Sequence, residues 1–278
     1  MYRFIRPILL TIGLYSLIPP SYSFATTIDE LAPYRGVYEL QLDNASDKSG
    51  ITGFSGRMVY EFTGNKCKGF TTKFRFVSKV DLSELPQRMS DQQVTTIESG
   101  DGKKFSFRSK SFTDQELTKE VDGSAELEED GLKVDITKPE VANHQLKKAI
   151  FPTEHTIEII NHALNKNYIF NTNIFDGSED ADKITPTNVV IGKEIAAQPN
   201  EETKIMGKLG EEPTWPINIS YFDDSSSQDG LPTYRTSFLL YKNGVTRDLI
   251  MDYGDFSIKG KLIKIELLDK GDIDCSAK

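Results

Sequence analysis

The sequence has few of the residues that most often carry catalysis or bind metals. Its 278 residues include two cysteines, three histidines and one tryptophan. It contains no Cys-x-x-Cys pair, no Gly-x-Ser-x-Gly elbow and no glycine-rich phosphate loop, which are the motifs of thiol redox enzymes, serine hydrolases and nucleotide-binding proteins. No pair of carboxylates stands out for acid–base chemistry. We therefore expect a protein that is not an enzyme and needs no cofactor.

Positive charge is also in short supply. The chain has 33 lysines and arginines against 42 acidic residues, which gives a net charge of −9 and an isoelectric point near 5.0. Nucleic-acid binding depends on basic surfaces, so we expect no nucleic-acid partner. The same acidity argues against tight electrostatic docking on an anionic membrane surface.

Long apolar runs are missing except at the amino terminus. Arg3 and Arg6 precede an apolar stretch at residues 8–18, and Ser23-Phe24-Ala25 places small residues around a cleavage site. This pattern predicts a signal peptide at residues 1–25. The alternative, a membrane anchor, is disfavoured because a spanning helix needs about 20 apolar residues. We expect a single exported domain at residues 26–278 that does not span a membrane.

The two cysteines, Cys67 and Cys275, lie far apart in the sequence. Outside the cytosol a pair of thiols can persist as a disulfide, so we predict a Cys67–Cys275 bridge. It would close a loop of about 209 residues, for which the chain-entropy model gives roughly 5 kcal/mol of stabilisation. The alternatives are two free thiols or one cysteine linked to another protein.

Strand patterns dominate the mature region. Apolar and polar residues alternate at residues 38–42, 58–62, 70–76, 104–108, 132–136 and 217–222, as in antiparallel sheets with one buried face. Asp101-Gly102, Asp130-Gly131 and Asn243-Gly244 each separate two such runs, and these pairs favour type I′ hairpin turns. The pattern predicts an all-β meander of a dozen or more strands.

One amphipathic helix is predicted at residues 154–164. Ile157, Ile160 and Leu164 share one face, and Thr153 is the expected N-cap. This helix could plug or cover the open side of a curved sheet. A second, weaker helix is predicted at residues 141–149, and the polar segments at residues 195–213 and 223–230 are predicted to be mobile loops.

Two segments raise a metal hypothesis. His155, Glu158 and His162 are spaced to share one helical face, as zinc ligands can, but a solvated helix face is favoured. Residues 176–182 space oxygen side chains as calcium loops do, but Ala181 stands where an EF-hand needs glycine. A polar turn is favoured there, and we predict no metal site.

Aromatic residues are the remaining clue, with sixteen phenylalanines and eleven tyrosines. They fall largely on the apolar faces of the predicted strands, so most are expected to form core. In a strongly curved sheet they could also line a cavity for an acyl chain or a hydrophobic peptide.

Eight short motifs are spread over nearly the whole mature chain. They lie at residues 31–38 (LAPYRGVY), 46–51 (SDKSGI), 56–62 (GRMVYEF), 71–76 (TTKFRF), 175–180 (FDGSED), 230–235 (GLPTYR), 243–248 (NGVTRD) and 251–256 (MDYGDF). Together with Cys67 they resemble the EipB family of periplasmic cell-envelope integrity proteins, long classed as a domain of unknown function.

The resemblance implies a single periplasmic domain of a Gram-negative bacterium, with a long antiparallel sheet wound into an open barrel, or β-spiral. It also implies a disulfide between an early strand and the carboxy-terminal tail, where Cys67 and Cys275 stand. The family maintains the envelope under stress without established catalysis, so no catalytic residues are carried over. Its fold is similar to that of periplasmic lipoprotein carriers.

We therefore expect a periplasmic, non-enzymatic protein that supports envelope integrity by binding an envelope protein or a lipid. On family grounds, a periplasmic repeat protein is one candidate partner. The alternatives are a lipid or lipoprotein carrier with a hydrophobic cavity, and an envelope hydrolase of unknown chemistry.

Overall fold

The fold is all-β with few helices, as the sequence pattern predicts. The structure is a computed structural model that describes residues 31–223 and 230–271. The predicted signal peptide, most of the predicted loop at residues 223–230 and Cys275 lie outside the described residues. The strands within them are β1 (Tyr34–Ala45), β2 (Ile51–Asn65), β3 (Gly69–Leu82), β4 (Arg88–Glu98), β5 (Lys104–Thr113), β6 (Glu116–Leu127), β7 (Leu132–Lys138), β8 (Ala142–Leu146), β9 (Ile169–Ile174), β10 (Thr185–Ile191), β11 (Trp215–Tyr221), β12 (Tyr234–Leu240), β13 (Thr246–Asp252) and β14 (Phe256–Leu267).

The described strands form one antiparallel sheet in the order β8-β7-β6-β5-β4-β3-β2-β1-β14-β13-β12-β11-β10-β9. Except for β8 and β9, described strands that are consecutive in sequence pair with each other, and β1 pairs with β14, Tyr34 opposite Leu267. The sheet is open only between β8 and β9, in the middle of the chain. At this seam the Ile150 amide donates to the Asn173 carbonyl at 2.9 Å, and the Phe175 amide donates to the Ile150 carbonyl at 2.9 Å.

The helices are α1 (Pro152–Leu164) and α2 (Glu201–Met206), with short 3-10 helices at Asp47–Ser49 and Gly207–Glu211. The predicted helix at residues 154–164 is confirmed, and its Ile157, Ile159 and Ile160 side chains lie in the main core. The predicted helix at residues 141–149 is wrong because this segment contains β8, whose side chains alternate between half-buried and exposed. No helix of the described residues is long and apolar enough to cross a membrane.

Two core clusters fill the inside of the curved sheet. The larger one joins α1 to aromatic residues of β1 and β2 and to aliphatic residues of β10–β14. The smaller one lies under β5, β6 and β7 and includes Phe151 and Phe175, which flank the seam. Most of the aromatic residues predicted to be core are therefore confirmed as core.

The three predicted hairpins are confirmed, but the predicted turn type is wrong. Asp101-Gly102, Asp130-Gly131 and Asn243-Gly244 connect β4 to β5, β6 to β7 and β12 to β13. In each pair only the glycine has a positive φ, whereas a type I′ turn needs two such residues in succession. The reason is the length of the loops, because four or more residues connect each pair of strands, whereas a type I′ turn suits a two-residue loop. Asp114 and Gln115, with φ of 50° and 72°, link β5 to β6 instead.

The segment at residues 195–213, predicted to be a mobile loop, contains α2. Asn200 caps this helix because its side-chain oxygen accepts from the Thr203 amide at 2.9 Å, and the Thr203 hydroxyl accepts from the Asn200 amide at 2.8 Å. A reciprocal capping box of this kind stabilises a helix start, even in a segment whose composition is typical of loops.

Candidate functional site

An interior cavity of about 210 Å³ lies between α1 and the inner faces of β1, β2 and β12. Tyr34 and Tyr60 face each other with ring centroids 5.4 Å apart, and both also line a smaller cavity of about 70 Å³ near the start of α1. The walls of the larger cavity are mostly aromatic or apolar and include Tyr34, Tyr38, Met58, Tyr60, Phe238 and Leu249.

The hydroxyl groups of Tyr34, Tyr38 and Tyr60 are polar groups in the otherwise largely apolar lining of this cavity. The Tyr38 hydroxyl donates to the Thr246 carbonyl at 2.8 Å. Burial raises the pKa of Tyr38 to about 12, and burial also raises the pKa values of Tyr34 and Tyr60. All three therefore stay neutral at physiological pH and act as hydrogen-bonding groups. A cavity lined in this way is the alternative to core that the alternation of aromatic residues left open, and the cavity is small beside the surrounding core.

A buried carboxylate closes the start of α1. Glu98, at the end of β4, is 3% exposed, and its oxygens accept from the Thr153 amide at 3.2 Å and from the Thr153 hydroxyl at 2.7 Å. Burial raises the pKa of Glu98 to about 7, although the Thr153 contacts oppose this shift. The prediction that Thr153 is the N-cap is wrong, because α1 begins at Pro152 and Thr153 is its second residue. Glu98, at the end of β4, caps the helix by accepting from the Thr153 amide.

The three residues of the zinc hypothesis, His155, Glu158 and His162, all lie on α1. His155 is buried, and desolvation lowers its pKa to about 4, so the favoured reading of a solvated face is wrong for this residue. The Phe170 ring lies against both histidines, 6.4 Å from His155 and stacked at 3.9 Å on His162. Among the described residues, no group of three His, Cys, Asp or Glu side chains is placed to hold a metal ion.

The segment at residues 176–182 is a polar turn between β9 and β10, as the favoured reading predicts. Two of its acidic side chains point to lysines, with Asp180 at 2.9 Å from Lys119 and Glu179 at 2.7 Å from Lys183. Ala181 is 1% exposed and belongs to the smaller core cluster. These carboxylates are therefore engaged in ion pairs and do not converge on a common point.

A second buried polar cluster, which the sequence did not reveal, lies under α2. Glu202 accepts hydrogen bonds from the Leu262 amide at 2.6 Å and the Asp248 amide at 3.4 Å, and Arg247 lies 3.9 Å from its carboxylate. Burial raises the pKa of Glu202. β13 pairs with β14 only as far as Gly260, so Glu202 takes the place of a strand partner for the next part of β14.

The Cys67 end of the predicted disulfide lies in the tight turn between β2 and β3. The Asn65 side-chain oxygen accepts from the Cys67 amide at 3.0 Å and from the Lys68 amide at 3.1 Å. The Asn65 side-chain amide donates to the Lys270 carbonyl at 3.1 Å. Cys275 lies outside the described residues, so the pairing stays a prediction.

These features first define a class of protein, an all-β, barrel-like domain with an open seam and a helix packed inside the sheet. Comparison with known proteins gives the family. A family model described as EipB-like matches residues 25–269, so the chain belongs to the EipB-like family, as its motifs predict.

A protein sequence and a crystal structure from Brucella abortus are both similar to this chain. The chain is 51% identical over 247 residues to the cell envelope integrity protein EipB of that bacterium, covering 89% of this chain and 88% of the relative. The crystal structure of a beta-barrel-like protein of a domain of unknown function is 52% identical in sequence. It superposes with a TM-score of 0.84, covering 86% of this chain and 99% of the other.

Proposed function

We propose that this protein acts in the periplasm as a non-catalytic binding protein. Its role there is to maintain the integrity of the cell envelope under stress. The observation that carries the proposal is the 51% identity, over 89% of this chain, to a protein named for cell envelope integrity. The predicted signal peptide at residues 1–25 agrees with a periplasmic location.

The hydrogen bonds of the buried carboxylates support a role without catalysis. Glu98 has the near-neutral pKa that a catalytic acid or base needs, but Thr153 engages both of its oxygens. Glu202 is similarly engaged by backbone amides of β13 and β14. Both carboxylates therefore stabilise the ends and junctions of elements, which disfavours an envelope hydrolase.

An envelope protein is the partner that the outer surface favours. β9, β10 and β11 contain no charged side chain, whereas the outer faces of other strands carry ion pairs such as Arg75–Asp91 and Arg108–Asp122. Ile169 and Val190 lie opposite each other on this uncharged face and are 66% and 41% exposed. Uncharged faces with exposed apolar residues are typical of protein interfaces.

The carrier hypothesis rests on the interior cavity. At about 210 Å³, this cavity is smaller than the roughly 300–1,000 Å³ of typical ligand pockets. A lipid chain would therefore need the core around α1 to move apart. For this reason we place the carrier function second to protein binding.

We further propose that Cys67 pairs with Cys275. The contact between Asn65 and Lys270 brings the end of the described chain beside the Cys67 turn. Cys275 lies five positions after Lys270 in the sequence, a length that reaches up to about 17 Å when extended. The bridge would thus need no rearrangement of the sheet.

Deletion of the gene in its native bacterium tests the proposed function. The deletion strain is expected to lose viability on envelope-disrupting detergent and to recover with a plasmid copy that includes residues 1–25. A copy without residues 1–25 is expected to give no rescue. Normal growth of the deletion strain on detergent would contradict the proposal.

Two variants separate the candidate mechanisms. An Ile169→Lys, Val190→Lys variant places charge on the uncharged face and is expected to fail to rescue while melting normally. Glu98→Gln, which retains an oxygen acceptor for Thr153, is expected to rescue fully. Loss of rescue by Glu98→Gln with normal folding would favour the hydrolase instead.

A further inference from the structure

A groove of about 540 Å³ crosses the outer face of β2, β3 and β4. Seven of its nine lining residues, all except Gly56 and Ser78, alternate along the strands with inward-facing residues such as Met58 and Phe76, so they lie on the opposite face of the sheet from the interior cavity. The groove lies where β2 and β3 approach each other closely. A Cβ atom at Gly56 would lie only 2.4 Å from the Val77 carbonyl oxygen. Its volume falls within the range of typical ligand pockets.

The charge of the groove is opposite to that of the whole chain. Its nine lining residues include three cationic side chains and no acidic one, in a chain with a net charge of −9. Arg75 is neutralised by Asp91 through two hydrogen bonds of 3.0 and 2.8 Å. Arg57 and Lys79 form no ion pair with any residue that the structure describes. Two cations are therefore available to an anionic group, although Glu39 of β1 lies opposite Arg57.

The register of β2 and β3 places these two cations close to each other on the outer face of the sheet. Arg57 lies opposite Val77, and Ser55 lies opposite Lys79, so Arg57 and Lys79 are diagonal neighbours on adjacent strands. Such diagonal neighbours are about 7–8 Å apart, with their Cβ atoms somewhat closer, which allows two long side chains to contact the same phosphate or carboxylate group.

The floor beside the cations is apolar. Val59 and Val77 are half-buried, and Met89, opposite Lys79, is 38% exposed. An anionic group alone would leave this apolar surface uncovered. A ligand with an acidic head and an apolar chain would fill both parts of the groove.

We propose that this groove binds a single lipid with an anionic headgroup, held by Arg57 and Lys79, with its chain along Val59, Val77 and Met89. The acidity of the whole chain disfavours broad docking on an anionic bilayer, and a site for one lipid molecule does not require it. The site is separate from the interior cavity and from the uncharged face of β9–β11.

Titration with short-chain lipids tests the proposal. The mature protein, purified from the periplasm, is titrated with dihexanoyl phosphatidylglycerol below its micelle concentration and followed by calorimetry and methyl NMR. Phosphatidylglycerol is expected to bind and to shift the methyl signals of Val59, Val77 and Met89. Dihexanoyl phosphatidylcholine and glycerol phosphate are each expected to bind at least about tenfold more weakly, because each offers only one of the two recognised features.

The Arg57→Gln, Lys79→Gln variant is expected to raise the Kd for phosphatidylglycerol by about tenfold or more. Lys104→Gln, Lys133→Gln is the matched control, because it removes the same charge from exposed positions on β5 and β7. Thermal melting checks that both variants fold. Equal binding of the two lipids, an equal loss in the control, or shifts confined to interior residues such as Leu249 would overturn the proposal. Glycerol phosphate binding as tightly as the lipid would also overturn it.

Discussion

Among single residues, Glu98 most clearly joins distant parts of the chain. It lies 55 residues before Thr153 in sequence, yet it caps α1 from the end of β4. Because a carboxylate at a helix start interacts favourably with the unpaired amides and the helix dipole, Glu98 stabilises both the helix and its position inside the sheet. The cost is a buried acid whose ionised form is poorly solvated.

Glu98 should make stability depend on pH. Its pKa rises from an ordinary 4.5 to about 7 in the folded protein, so the folded state binds the proton more tightly than the unfolded state. The resulting stabilisation is fully present below about pH 4.5 and is lost as the pH rises through 7, by at most about 3 kcal/mol. Glu98→Gln is expected to remove this part of the pH dependence, measured by urea unfolding at pH 5 and pH 8.

Glu126→Gln is the control for this measurement, since Glu126 is exposed and lies in a surface ion pair with Lys104. This variant should keep the pH dependence of the parent protein. An equal fall in unfolding free energy from pH 5 to pH 8 in the parent and in Glu98→Gln would show that Glu98 does not titrate as described.

The case of Thr153 shows what sequence reasoning can and cannot reach at this scale. A threonine after a proline and before an apolar periodic run is a good local signal for a helix start, and α1 begins within two residues of the prediction. The actual cap depends on a strand end that folding brings to the helix, and local sequence contains no signal for such a contact. For the same reason Arg247 and Glu202 could not be paired from the sequence.

At the scale of elements, α2 acts as a bridge between β13 and β14. Its second residue, Glu202, occupies the space where the two strands separate, and its neighbour Glu201 points outward to an ion pair with Lys261. The two adjacent glutamates therefore offer a matched comparison between a buried and an exposed carboxylate on one helix.

Glu202→Ala is expected to lower the free energy of unfolding by about 3–5 kcal/mol, because it leaves the buried Arg247 charge without a carboxylate partner and two backbone amides without their acceptor. Glu201→Ala is expected to change it by no more than about 0.5 kcal/mol. Urea denaturation of the two variants and the parent measures both. Similar losses in the two variants would mean that Glu202 does not hold this junction together.

The seam between β8 and β9 is another junction that depends on side chains. Phe151 is 1% exposed and stacks on Phe105 at 5.0 Å, while Phe175 meets Phe105 edge-on at 6.0 Å. These aromatic contacts pack the chain on both sides of Ile150, where backbone hydrogen bonds join the two ends of the sheet.

Phe151→Ala is expected to cost about 3–5 kcal/mol of stability and to loosen the seam first. Hydrogen exchange should then show lost protection at the Ile150 and Phe175 amides while the Val37 amide in β1 stays protected until global unfolding. Val141→Ala, at a position 82% exposed, is the control and should leave exchange unchanged. Uniform loss of protection in Phe151→Ala would indicate that the seam does not open separately.

Strands and helices were predictable to different degrees. Alternating apolar residues bounded by Asx-Gly pairs located the hairpins, because both signals are local and repeat along the chain. The composition of residues 195–213 predicts a loop and misses α2. The stability of α2 comes from the contacts of Glu202 with β13 and β14, which local composition does not reveal. The prediction of a helix at residues 141–149 failed because pairing with β7 decides the structure there. Local propensity is a weak guide in such a segment.

At the scale of the whole molecule, the described strands form a meander in which the first strand, β1, pairs with the last, β14. β1 pairs with β14 through eleven residue pairs, and the break in the sheet lies instead between β8 and β9, in the middle of the chain and beside α1. The predicted disulfide would add a covalent link on the paired side, between the β2–β3 turn and the segment after β14. It would leave the seam as the part of the molecule most free to open.

Loss of this link is expected to affect the molecule as a whole. Cys67→Ser and Cys275→Ser should each lower the melting temperature by about 10 °C, because a closed loop of about 209 residues is worth up to roughly 5 kcal/mol and each kcal/mol shifts a domain of this size by about 2–4 °C. The double variant should match the single ones, since either change breaks the same bond. A reductant should lower the melting temperature of the parent but of none of these variants, and a parent that melts at the same temperature with and without reductant would rule out the bridge.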